Sequence, residues 1–211
     1  MADLDTGPTG PNTPANVPPD APPDARRTPS FSGPPSRVAP PAEGSSLRAK
    51  LLTVNHAYNF FGASLYVGVL WALHFFWYPT WTVITADNYY DQFIPPTDAA
   101  TRFFTIVVPL MFLASAIMIW SEWRTRFRWV AVLTFLCIAG ATYVGTAHII
   151  PINRILATRI TDQAQLTAHF RDWMMLNDIR MAIVTVMWLT LMYFFVAKGR
   201  LLRAIDEDRR S

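Results

Sequence analysis

His148, Pro151, Asn153 and Arg154 stand close together at the end of an apolar stretch, and Trp173, Asn177 and Arg180 follow at steps of four and three residues. On a helix those steps place Trp173, Asn177 and Arg180 on one face, in a stripe that runs from Leu166 and Phe170 to Val184. An arginine at the edge of an apolar helix either snorkels outward or faces inward, and facing inward it needs an anion, a carbonyl or a cavity. The spacing therefore points to a pocket rimmed by His148, Asn153, Arg154, Trp173, Asn177 and Arg180. In the plain alternative the same groups bond one another and pin a loop.

The elements that position these residues are set by solvent. Residues 61–84, 103–120, 129–150 and 179–197 hold no Asp, Glu, Lys or Arg apart from Arg180. Each is about as long as a helix needs to cross ~30 Å of hydrocarbon. The first span carries Gly62, Ser64 and Gly68, small residues that let helices approach. Trp77, Tyr78 and Trp81 are expected at its outer interface. Pro95 and Pro96 predict a break, with the second span starting at Thr97 or Asp98 and kinked at Pro109. Pro151 is expected to end the third helix, and Thr161 to Gln165 to cap a fourth that runs straight into the membrane.

Charge orients the spans. Thirteen of the 18 basic residues lie before the first span, between spans two and three, or after span four. By the positive-inside rule both termini and the middle loop are cytoplasmic, in a multi-pass protein of the cell inner (plasma) membrane. The sequence pI of about 9.2 is thus a topology signal. No aromatic-basic surface for nucleic acid is visible, so no nucleic acid partner is expected.

Residues 1–44 hold 12 of the 17 prolines and almost no large apolar side chain. Such a segment cannot bury enough surface to offset its ordering entropy, so it reads as a disordered Pro-rich cytoplasmic tail, solvated or docking a soluble protein partner. Residues 45–200 form the transmembrane domain and 201–211 a charged tail. The fold class is all-α, an integral membrane four-helix bundle in contact with the lipid bilayer.

Two other residues require a reading. Cys137 lies inside the third span, and its single thiol reads as a small buried apolar group. His74 lies in the first span, where no span supplies an acidic partner. It is either satisfied by a helix carbonyl or hydroxyl, or it ligates haem or metal. Pairing it with His148 on one iron is disfavoured by a depth mismatch of about 10 Å. No HxH, HExxH or carboxylate cluster is present, and no metal or cofactor is expected.

The segment IIPINRIL, followed by HFRDWMMLNDIRMAIVTV, resembles the anthrone oxygenase-like family of small four-helix membrane proteins. The resemblance rests on Pro151, Asn153, Trp173, Asn177 and Arg180, with weaker support from Gly68 and Pro79, and covers about residues 55–198. It implies oxidation of an anthrone- or quinone-like lipophilic substrate by O₂ without a metal or flavin. Such chemistry needs a base for the acidic benzylic proton and a cation for the enolate. His148 is the candidate base and Arg180 the candidate stabiliser, with Asn153 and Asn177 orienting the substrate. The family position before Pro-x-Asn is apolar, so the role given to His148 comes from its chemistry alone. The competing readings are a non-catalytic accessory subunit of a membrane complex and, more weakly, a small-molecule binding or transport component.

Overall fold

The computed structural model describes residues 43–210, so all of the expected disordered tail but residues 43–44, which open the first helix, lies outside them. Every regular element among the described residues is helical. α1 (Glu43–Ala72) continues through a π-helical turn, Leu73–Trp77, and a 3₁₀ segment, Tyr78–Val83. α2 (Tyr89–Glu122) is followed by α3 (Arg128–Val144), a second π turn (Gly145–Ile149), α4 (Ile150–Leu156) and α5 (Gln163–Asp208). The helices neighbour one another in the ring α1, α2, α3, α5. Four helical stretches, Leu47–Val83, Tyr89–Glu122, Arg128–Leu156 and Gln163–Ile205, are long and apolar enough to cross a membrane. Large apolar side chains such as Phe76, Ile106 and Trp120 are exposed on their outer faces, as lipid contact requires.

The spine of the bundle is tightly packed. Tyr66, Met111, Met118, Ile138, Val184, Met187 and Phe194 have almost no exposed surface. Gly62 lets α1 and α2 approach, since a Cβ built there would lie 2.8 Å from Met111 Cγ. Gly68 faces open space instead, with nothing within 4 Å. Ser64 ties α1 to α5 by accepting the Trp188 indole N–H at 3.0 Å.

The helices are longer than the apolar stretches. α5 alone has 46 residues, about 69 Å at 1.5 Å each, because absence of charge measures only the part in hydrocarbon. The segments between the apolar stretches, 85–102 and 151–178, are thus mostly helix. Pro95 and Pro96 do not break α2, which starts at Tyr89 and carries both prolines and Pro109 inside it. Tyr89 and Phe93 are buried and hold the first turns by packing, while Asp91 and Gln92, whose carbonyls the two prolines leave unbonded, are exposed to other partners. The cap of α5 is as expected, with Asp162 accepting the Ala164 N–H at 2.8 Å.

The end of the bundle that carries residues 84–88 and 157–162, here the distal end, is closed by aromatic rings. Trp81 is buried against Phe170 (5.0 Å between centroids), Phe93 (5.4 Å) and Trp173 (5.4 Å). Trp81 was expected at the lipid interface; the 3₁₀ turn folds it inward. Tyr89 clamps the connection to α5, donating to Leu156 O at 2.9 Å and accepting from Ile160 N at 2.6 Å. The opposite, basic end is pinned by buried Glu122, which accepts hydrogen bonds from Lys198 and, at 2.8 Å, from Thr125.

Candidate functional site

Both π turns arise from the same local cause. Each ends two residues before a proline, Pro79 in one case and Pro151 in the other. Proline has no N–H for the carbonyl four residues back and its ring crowds that carbonyl, so the preceding turn must widen or break. Here it widens. Tyr78 N–H bonds Leu73 O and Ile150 N–H bonds Gly145 O, each five residues back. The helix expected to stop at Pro151 therefore continues to Leu156.

The widened turns flank a cavity of about 530 Å³ between the four spans, toward the distal end. Its wall is largely apolar, including Leu70, Leu73, Phe104, Val108 and Ile149. A polar strip crosses it on α5. Trp173 Nε1 donates to Asn153 Oδ1 at 2.7 Å, and Asn177 Nδ2 donates to the Trp173 carbonyl at 3.0 Å. Arg180 Nη1 donates to Asn177 Oδ1 at 2.9 Å, and Nη2 donates to the Tyr66 hydroxyl. The guanidinium lies beside Gly145, where a Cβ would sit at ordinary contact distance, 3.6 Å from Arg180 Cζ.

The strip is electrostatically incomplete. Among the described residues no carboxylate oxygen lies within 4.0 Å of the Arg180 guanidinium. Its Nε has no hydrogen-bond partner, and neither do the buried hydroxyls of Thr97 and Thr142 in the same wall. A cation held by two neutral groups beside an apolar cavity favours an anionic or strongly accepting oxygen.

No protein-family model, curated protein or solved structure matches this chain. The geometry alone must therefore carry the functional reading.

Of the six residues singled out by sequence, the cavity brings together Asn153, Trp173, Asn177 and Arg180. His148 and Arg154 are exposed and outside its lining, and the His148 ring packs edge-on to Tyr143 at 5.7 Å. The π turn explains the rotation. With more residues per turn, Ile149 and Ile150, and not His148, come round to the face of Gly145. Tyr66, Thr97 and Thr142 were missed because, singly, they look like ordinary residues of an apolar span. The signal for Tyr66 was available only in combination, as a buried hydroxyl opposite an arginine that lacked an acid.

His74 needs a correction. It has an acidic partner, Asp178, whose Oδ1 lies 2.8 Å from His74 Nδ1. Asp178 stands one residue outside the charge-free stretch that was counted as the span, yet α5 is continuous there. Neither residue lines the cavity. Among the described residues no three His, Cys, Asp or Glu side chains gather to hold a metal.

Proposed function

We propose that this integral membrane protein takes a lipophilic aromatic molecule of anthrone or quinone type into the cavity and holds its oxygen, as the enolate, at Arg180 and Tyr66. The observation that carries the reading is the guanidinium without a carboxylate, set in an apolar wall. Arg180 supplies the charge, Tyr66 retains an O–H to donate, and the Trp173 ring and the apolar wall take the hydrocarbon rings. The protein lies in the inner (plasma) membrane with both termini cytoplasmic, which puts the cavity in the outer half of the bilayer.

The chemistry that fits is cofactor-independent oxygenation. Among the described residues neither histidine nor carboxylate lines the cavity, so the substrate enters as its enolate. The carbanion carbon adds O₂ to give a peroxide anion. The O–O bond then breaks as the carbon's remaining proton leaves with the outer oxygen as hydroxide, and a ketone remains. Dioxygen is the oxidant, and the enolate becomes a quinone. Arg180 stabilises the oxygen that carries the negative charge at the start.

The test is oxygen uptake by the purified protein with an added anthrone, followed by the absorbance of the quinone. Arg180→Lys keeps the charge but loses the planar fork that reaches both Tyr66 and Asn177. Turnover should fall roughly tenfold for Arg180→Lys and further for Arg180→Ala, as loss of charge-assisted hydrogen bonds worth about 1.5–3 kcal/mol implies. No uptake above the protein-free rate, with no anthrone bound, would leave the bundle an accessory subunit.

A further inference from the structure

The basic end carries a second concavity, of about 600 Å³, on the seam of α1 and α2. Its lining includes Arg48 from α1, Ala116 and Trp120 from α2, and Trp123 and Arg124 just beyond the end of α2. The Arg48 guanidinium lies over the Trp120 ring, 5.3 Å from its centroid. Neither arginine has a carboxylate within 4.0 Å among the described residues. The acid nearest Arg124 in sequence, Glu122, is buried and committed to Lys198 and Thr125. Among the described residues the lining thus offers two cations and no anion.

Two exposed tryptophans at the end of a span, Trp120 within it and Trp123 just past it, mark the depth at which the headgroups of a bilayer lie. One turn or so toward the bundle centre from Arg48 and Ala116 stand Leu51 on α1 and Leu113 on α2, both exposed. An occupant must therefore have an anionic head and an apolar tail in that order. We propose that this seam binds an anionic phospholipid, with the phosphate between Arg48 and Arg124, the glycerol region over Trp120, and an acyl chain along Leu51 and Leu113. Guanidinium forks fit phosphate oxygens in pairs, and a juxtamembrane basic side chain near an anionic leaflet attracts it measurably.

The experiment is native mass spectrometry of the full-length protein, delipidated in detergent and offered phosphatidylglycerol or phosphatidylcholine of the same chains. Phosphatidylglycerol adducts should exceed phosphatidylcholine adducts, and Arg48→Gln and Arg124→Gln should each lower them roughly fivefold, the attraction of one basic group. Both side chains are exposed, so the variants keep the fold, which unchanged elution and melting would verify. Arg200→Gln, an equal loss of charge at the same end, should leave the adducts as they were. Equal binding of the two lipids, or an equal fall with Arg200→Gln, would overturn the site. Displacement by inorganic phosphate at the lipid's own concentration would show that the acyl chain contributes nothing, and would overturn the lipid as its occupant.

Discussion

Gly145 is the residue on which the site can be tuned without touching its charged groups. Arg180 Cζ lies at ordinary contact distance from where a Cβ would be, so Gly145→Ala should leave ligand binding within about twofold. Gly145→Val adds branches that must move the guanidinium, at a cost of about 1–3 kcal/mol, and should weaken binding at least tenfold. Isothermal or fluorescence titration of the two variants would separate these outcomes; equal affinities would mean that the Arg180 guanidinium does not rest against Gly145. The α5 half of this site was legible in the sequence because a 3.6-residue period projects Trp173, Asn177 and Arg180 to one side whatever the neighbours do. Tyr66 was not, since its meaning depends on a contact across 114 residues of chain.

At the scale of the element, proline altered the helix at two positions and left it unbroken at three others, Pro109 among them. Pro79 and Pro151 widen the preceding turn, whereas Pro95 and Pro96 are carried by a helix whose buried Tyr89 and Phe93 hold it together. Local sequence could not distinguish these cases, because the difference lies in what the neighbouring residues pack against. Pro151→Ala should restore four-residue hydrogen bonding, turn Asn153 away from Trp173, and weaken ligand binding three- to tenfold, about the worth of one hydrogen bond. Melting in detergent should not fall, since a helix-interior proline itself costs about 3 kcal/mol. Unchanged binding would show that packing, and not Pro151, maintains the π turn. The expected positions of His148 and Arg154 rested on a helix that stopped; the helix continues with altered register, and both residues leave the site.

For the whole molecule, the number of spans was legible because the bilayer filters for uncharged stretches, while helix lengths were not, because water tolerates a helix as readily as a loop. The basic residues gathered at one end predict an orientation with that end cytoplasmic. In intact cells an impermeant thiol reagent should label Arg154→Cys and Thr158→Cys at the distal end, and should label Arg126→Cys only after lysis; native Cys137 is buried. The reverse pattern would invert the map. The central claim is that an arginine without an acid draws a lipophilic oxyanion into a cavity between the helices. Mass spectrometry of small molecules retained by the detergent-purified protein, set beside Arg180→Ala prepared identically, tests it most directly. The account predicts an aromatic, oxygen-bearing compound that accompanies the natural protein and is lost from the folded variant. The same compounds in both preparations, or none in either, would contradict it.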